Sequence, residues 1–284
     1  MVNKLLRNGA QLLENSDTPL LDARVLLAKA MGIENAAIIF NMPDENQQKT
    51  FEHYIELRKT GMPVAYIIGE KEFMGLTFKL NSDTLIPRPD TECLVEKIIE
   101  YTKKPDAKIL DLCTGSGCIG ISLVKMIENA TCDLTDISDG ALSAAEENAR
   151  LNNVENRTNV FKLDVLKDEI VPVYDIIVSN PPYIESAVTK ALAVSKFEPI
   201  RALDGGDDGL TFYRVIAKKA YDALSEGGML ALEIGYNQKD SVKALLKDFS
   251  SVHTFKDYGG NDRVIIAKKQ RAAAPISHLD FAQT

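Results

Sequence analysis

The spacing of apolar residues divides the chain into two regions. The first region opens with apolar side chains at helical spacing, namely Leu5, Leu6, Leu12 and Leu13. The same pattern predicts helices over residues 22–31 and 44–59, and no segment of this region alternates like a strand. We therefore expect residues 1–70 to form a small all-helical domain.

A short β segment follows. Apolar and polar residues alternate over residues 72–85 around Gly75, which predicts a β-hairpin connector over residues 71–86. The residues after this connector lead into a helix expected at 91–101.

Strand and helix patterns alternate from Lys108 onward. The predicted strands cover residues 107–113, 131–138, 159–166, 174–184 and 227–235, with two more before residue 269. Repeated strand–helix units predict an α/β fold with a mostly parallel, doubly wound sheet, and the final strand–turn–strand pair predicts one antiparallel strand. We expect this second domain over residues 87–269 and a flexible tail over residues 270–284.

Composition and charge narrow the class of protein. The chain has 284 residues, 45% of them hydrophobic and 26% charged, with a net charge of −8. This is ordinary globular composition, and no apolar stretch is long enough to predict a membrane helix or a signal peptide. The four cysteines form no CxxC pair and the three histidines are scattered, so we expect reduced thiols and no metal site. We expect a cytoplasmic monomer without a broad phosphate-binding surface.

A glycine-rich loop joins the first strand of the second domain to its helix. Gly115, Gly117 and Gly120 allow the backbone to approach a ligand and begin a helix whose amides face it. They match the G-x-G-x-x-G spacing, and Asp136 ends the second strand where a ribose-binding acid is expected. A nicotinamide dinucleotide is therefore one candidate ligand.

Asp111 favours a different ligand. This acid ends the first strand ahead of the glycines, where it is poorly suited to a pyrophosphate and well suited to a positive amino group. S-adenosylmethionine has an amino acid end, a sulfonium and a ribose but no phosphate, so it suits the loop better. Asp164, at the end of the third strand, is placed where an adenine contact is expected.

The fourth strand ends in Asn180-Pro181-Pro182-Tyr183. Two successive prolines stiffen this loop and remove two amide donors. The side-chain oxygen of Asn180 and the carbonyl oxygen of Pro181 can together accept both hydrogens of an NH2 group, and Tyr183 offers a flat face. The loop therefore predicts a planar amine or amide nitrogen as the substrate. It contains no His, Cys or acidic base, so we expect direct methyl transfer without a covalent intermediate.

With these motifs, the chain resembles the class I S-adenosylmethionine-dependent methyltransferases and, among them, the PrmC/HemK family. Further matching segments are LIPRPDTE at 85–92, GGDDGL at 205–210 and LEIGYNQ at 232–238. The resemblance covers roughly residues 60–268 and implies a Rossmann-like sheet. It also implies methyl transfer to the GGQ glutamine of class 1 peptide chain release factors, with S-adenosylhomocysteine as the second product. The helical region fits the family's substrate-recognition domain in size and position.

The resemblance also implies residue roles. It implies cofactor contacts from Asp111, Cys113, Thr114, Gly115, Ser116, Gly117, Asp136, Ile137, Asp164, Val165 and Asn180. Of these, Asp136 would hold the ribose, and Asp164 with Val165 the adenine. It implies catalytic and substrate-contacting roles for Asn180, Pro181, Pro182 and Tyr183. Arg88 and Glu92 are further substrate-site candidates that could equally fasten their segment to the domain.

Three alternatives stay open. An adenine-N6 nucleic-acid methyltransferase shares both motifs, but residues 1–70 hold 7 Lys+Arg against 9 Asp+Glu and are poorly suited to phosphates. A nicotinamide oxidoreductase leaves the Asn-Pro-Pro-Tyr loop unexplained. A non-enzymatic module that binds S-adenosylmethionine is the third alternative.

Overall fold

The N-terminal region is helical. The computed structural model describes residues 2–171, 173–192 and 196–270, so all but the first residue of the expected tail lies outside the described residues. The helices are α1 (Val2–Leu12), α2 (Pro19–Met31), α3 (Glu45–Lys59) and α4 (Val64–Ile68), with a 3-10 turn at Asn35–Phe40. The 3-10 turn and α4 were not predicted.

Local sequence explains the ends of these helices. The carboxylate of Asp44 accepts a hydrogen bond from Gln47 N at the start of α3, and the Gln47 side chain accepts one from Asp44 N, which forms a capping box. Gly32 adopts a left-handed conformation that ends α2. Leu26 and Leu27 of α2 are fully buried in a core that includes Phe51 of α3.

The connector is a hairpin of β1 (Glu70–Phe73) and β2 (Leu76–Lys79). Met74 and Gly75 both have positive φ, as a two-residue hairpin turn of type I′ requires. The strands end earlier than the alternating pattern predicts. The Asn81 side-chain oxygen accepts a hydrogen bond from Asp83 N and turns the chain out of the ladder.

The second domain follows the predicted order of strands and helices. Its strands are β3 (Lys108–Leu112), β4 (Thr131–Asp136), β5 (Thr158–Lys162), β6 (Tyr174–Ser179), β7 (Leu224–Glu233), β8 (Ser251–Lys256) and β9 (Asp262–Lys268). Its helices are α5 (Pro89–Tyr101), α6 (Cys118–Met126), α7 (Asp139–Leu151), α8 (Ser186–Thr189), α9 (Thr211–Ala223) and α10 (Lys239–Leu245). The short helix α8 was not predicted.

These strands form one seven-stranded sheet in the order β5-β4-β3-β6-β7-β9-β8. All neighbours are parallel except β9, which is antiparallel to both β7 and β8. The predicted fold class, a mostly parallel sheet with one antiparallel strand, is confirmed. Apolar cores cover both faces, which is why the central strands are nearly continuous apolar runs.

The sheet topology also indicates where a ligand binds. The chain runs outward from β3 to β4 and β5 and then crosses back to β6, so the strand order reverses between β3 and β6. Ligands of open α/β sheets bind at such a point, beyond the carboxyl ends of the strands. In the described part of the chain, no helix is both long and apolar enough to cross a membrane.

Candidate active site

A cavity of about 490 Å³ opens at this switch point. Its volume lies in the range of about 300–1,000 Å³ that is typical of small-molecule sites. The loops after β3, β4, β5 and β6 contribute the site residues predicted from the sequence: Cys113, Thr114, Gly115, Ser116, Asp136, Ile137, Asp164, Val165, Asn180 and Pro182. Four segments that are far apart in the sequence thus line one cavity.

Asp136 organises the glycine loop. Its Oδ2 accepts a hydrogen bond from Gly115 N at 3.0 Å, and its Oδ1 accepts one from Ser138 N at 2.9 Å. Burial raises the pKa of this carboxyl, while the three backbone amides of Ser138, Gly115 and Ile137 lower it. The amide of Gly115, which would donate to a pyrophosphate in a dinucleotide site, is therefore already paired with an acid. A ligand with ribose hydroxyls and no phosphate fits this loop.

Asp111 lies behind the loop and does not line the cavity. Its Oδ2 accepts hydrogen bonds from Thr114 Oγ1 at 2.6 Å and from Gly120 N at 3.0 Å. The side chain is fully buried, and within the described part of the chain its Oδ1 has no hydrogen-bond partner. Burial raises the pKa of this carboxyl to about 7. Asp111 therefore holds the loop in shape from the inner side, and Gly117 also lies outside the cavity lining.

Asn180 lies between this cavity and a smaller pocket of about 140 Å³. Its Nδ2 donates to Thr91 Oγ1 at 3.4 Å, which leaves Oδ1 as the acceptor of the side chain. Pro182 lines the larger cavity and Tyr183 the smaller pocket, while Pro181 lines neither.

The other recognised motifs hold the Asn-Pro-Pro-Tyr loop in place. Gln238 donates from Nε2 to the carbonyl oxygens of Tyr183 at 2.9 Å and Gly209 at 3.2 Å. A Cβ at Gly205 would lie 2.7 Å from Tyr183 Cα and 2.8 Å from the Pro182 carbonyl oxygen. Glycine is required at position 205 because two backbone segments pack directly against each other there.

Arg88 and Glu92 occupy different surroundings. Arg88 lines both spaces, and its Nη2 donates to both carboxylate oxygens of Glu198 at 2.7 and 2.6 Å. Glu92 lines neither space, and its Oε1 accepts a hydrogen bond from Met74 N at the hairpin turn. Arg88 is thus brought to the site, whereas Glu92 fastens the connector to α5.

Several residues of the site were not predicted from the sequence, among them three polar residues around Asn180. Thr91 touches Asn180, and both Glu198 and Glu233 line the smaller pocket. Glu233 carries a recognisable signal, since it is the one charged residue in the apolar run MLALEI at 229–234. Glu198 carries none, because its partner lies 110 residues away along the chain.

Comparisons with known proteins agree with this architecture. Residues 4–69 match the PrmC N-terminal domain, and residues 89–206 match the methyltransferase small domain. A release factor glutamine methyltransferase of Clostridium botulinum is 42% identical over 260 residues, covering 88% of this chain and 92% of that protein. A protein of the same name from Fusobacterium nucleatum is 41% identical and covers 98% of this chain and 80% of its own length.

Solved structures match the fold at lower identity. A methyltransferase from Pyrococcus furiosus aligns with a TM-score of 0.52 and 19% identity, covering 77% of this chain and 98% of that structure. The hMettl16 catalytic domain, solved with an RNA hairpin, aligns with a TM-score of 0.54 and 18% identity, covering 76% and 81%. These two likenesses concern the fold alone.

Proposed function

The chain belongs to the release factor glutamine methyltransferase family, and from this premise we propose that it methylates the side-chain amide nitrogen of the GGQ glutamine in class 1 peptide chain release factors. The methyl donor is S-adenosylmethionine. The N-terminal helical region, which matches the PrmC N-terminal domain, would recognise the release factor. The nicotinamide alternative is not favoured, because Gly115 N is already paired with Asp136.

The observation that carries this proposal is the position of Asn180 on the shared wall of two spaces. The larger one, with the glycine loop and Asp136, has the size and donor set for S-adenosylmethionine. The smaller one, at about 140 Å³, suits a single side-chain amide. An amide held in the smaller pocket would present its nitrogen to the larger cavity past Asn180.

When bound, S-adenosylmethionine supplies a methyl group activated by its sulfonium. An amide nitrogen is a poor nucleophile, so the residues of this chain must orient it. Asn180 Oδ1 would accept one of its N–H groups, and Thr91 would fix the Asn180 side chain by accepting from Nδ2. Orientation of this kind can contribute about 7–11 kcal/mol to a barrier. The bond to Oδ1 also strengthens as positive charge grows on the nitrogen, which favours the transition state.

A labelling experiment tests this function. The chain is incubated with methyl-labelled S-adenosylmethionine and with a release factor, the same release factor with its GGQ glutamine replaced by alanine, or DNA. We expect label only in the unmodified release factor. Label in the replaced protein would refute the substrate residue, and label in DNA would favour the adenine-N6 alternative.

Asn180→Ala tests the catalytic assignment. We expect methyl transfer to fall on the order of 100-fold or more, since one pre-positioned polar group is lost from the reaction. Cofactor affinity, measured by calorimetry, should change by less than about threefold, because the glycine loop and Asp136 stay intact. Asn159→Ala, at an exposed position on β5, is the matched control. Normal turnover of the Asn180 variant would contradict the assignment.

A further inference from the structure

The smaller pocket contains a carboxyl group to which the mechanism above gives no role. Glu233 is the last residue of β7, and its relative exposure is 2%. Its Oε1 accepts a long hydrogen bond from Tyr183 Oη at 3.4 Å. Its Oε2 has no hydrogen-bond partner among the residues that the structure describes. A buried carboxylate oxygen without a partner is costly, so its presence beside Asn180 calls for an explanation.

Amide methylation must release a proton. The nitrogen that gains a methyl group still carries two hydrogens and a positive charge, and the neutral N-methyl amide keeps only one hydrogen. The smaller pocket has four titratable side chains in its lining: Arg88, Tyr183, Glu198 and Glu233. One of them must accept this proton if the pocket excludes water during the reaction.

Three of these groups are unsuited to the task. Arg88 has no acceptor atom. Both oxygens of Glu198 are engaged by the guanidinium of Arg88. Burial and the nearby Glu233 charge raise the pKa of the Tyr183 phenol, so this group stays protonated. Glu233 is left, and no described residue donates a hydrogen bond to its Oε2.

We propose that Glu233 Oε2 accepts the proton released by the substrate amide nitrogen, a role that rests on the function proposed above. In this step, an N–H bond breaks and its electron pair stays on nitrogen, where it cancels the positive charge. An O–H bond forms on Glu233, which becomes a neutral carboxyl group. The proton passes to water when the methylated product leaves.

The surroundings of Glu233 suit a proton acceptor. The titratable and polar groups that face it from neighbouring elements are Asp90 and Thr91 of α5, Cys118 of α6, Tyr183 after β6, Tyr213 of α9 and Arg263 of β9. Burial raises the pKa of the Glu233 carboxyl to about 7, although the nearby Thr91 hydroxyl and the charge of Arg263 lower it. A base is most effective when its pKa lies near the working pH. The guanidinium nitrogens of Arg263 contact other groups, namely Asp257 at 3.1 Å, Ile234 O at 3.2 Å and Asp90 at 3.4 Å.

The test measures single-turnover methylation of a release factor by the wild type and by Glu233→Gln, from about pH 5.5 to about pH 9. General-base catalysis is expected to contribute on the order of 100-fold or more to the rate. The wild-type rate should rise with pH and level off at about pH 7. Glu233→Gln should lose on the order of 100-fold on the plateau and lose this pH dependence. Calorimetry should give a cofactor affinity within about threefold of the wild type.

Two more variants keep the proposal falsifiable. Glu233→Asp retains a carboxyl group, so it should keep a pH-dependent rate even if Glu233→Gln folds poorly. Glu198→Gln removes the other carboxylate of the pocket, and its methylation rate should still rise with pH up to about pH 7. Infrared spectroscopy of the wild type should also show carboxyl absorption that titrates at about pH 7 and comes from both Asp111 and Glu233; Glu233→Gln should lose the Glu233 part and keep the Asp111 part.

The outcomes separate the two proposals. If the wild type labels no release factor, the proposed function fails. If the wild type is active and Glu233→Gln keeps the rise with pH, Glu233 is not the proton acceptor. A rise that is lost in Glu198→Gln and kept in Glu233→Gln would likewise overturn the assignment.

Discussion

Asn148 connects three parts of the structure that have no neighbouring positions in the sequence. Its Oδ1 accepts from Lys79 N at 2.7 Å, and its Nδ2 donates to the carbonyl oxygens of Lys79 at 3.0 Å and Ser116 at 2.8 Å. The side chain is fully buried on α7. It therefore ties the hairpin strand β2 to the glycine loop. We predict that Asn148→Ala destabilises the protein more than any exposed asparagine substitution.

The magnitude follows from these three hydrogen bonds. A typical intramolecular hydrogen bond contributes about 0.5–1.5 kcal/mol to stability, and a buried group left without a partner costs about 1–3 kcal/mol. Alanine at position 148 would leave one N–H and two carbonyl groups without this partner. Water can reach some of them, since Lys79 is only partly buried. We expect a loss of about 2–4 kcal/mol in the free energy of unfolding.

Urea unfolding followed by circular dichroism measures this loss through the transition midpoint and slope. Asn159→Ala is the matched control, because its side chain is exposed and makes a single hydrogen bond of 3.3 Å to Asp133. We expect the control to change stability by less than about 0.5 kcal/mol. If Asn148→Ala costs no more than the control, the proposed link between the hairpin and the glycine loop does not stabilise the fold.

Two further predictions concern acids near the site. Asp136→Asn should weaken cofactor binding by about 10- to 100-fold in calorimetry, because a charged acceptor is lost and an amide NH2 would face the N–H of Gly115 or Ser138. Asp139→Asn, at an exposed position, is the control. Unchanged affinity in Asp136→Asn, or an equal loss in the control, would contradict the ribose assignment. Burial raises the folded-state pKa of Asp111 to about 7, so the folded protein binds more protons than the unfolded chain between the ordinary carboxyl range and about pH 7. The stability that protonation of Asp111 contributes is therefore present at low pH and lost as pH rises through about 7. The urea midpoint should fall less steeply over this range in Asp111→Asn, and identical pH profiles would refute the sign.

Local patterns allow much of the catalytic domain to be predicted. The strand-ending glycine loop, Asp136 and Asn180 are each recognisable from residues next to them in sequence. They meet in space because the carboxyl ends of parallel strands lie along one edge of a sheet. The hairpin turns at Gly75, where the alternating pattern is centred, but β2 already ends at Lys79, and the Asn81 side chain then accepts a hydrogen bond from Asp83 N that turns the chain.

Local sequence patterns do not predict the contacts between segments that are far apart in the chain. Asp111 illustrates the limit, because an acid at a strand end could face the ligand or the loop, and only packing decides that it binds Thr114 and Gly120. The position of β9 between β7 and β8 likewise depends on how the final strand pair closes the sheet.

The sequence by itself determined the order of the sheet strands and the longer helices along the chain, the two motif loops and the family to which they point. The tertiary structure alone decided which of these acids face the ligand spaces: Glu198 and Glu233 enter the smaller pocket, while Asp111 and Glu92 line neither space. The physical reason is that hydrophobic periodicity reports the local burial of a side chain. The partners of a buried polar group are chosen by segments brought together only when the whole sheet has formed.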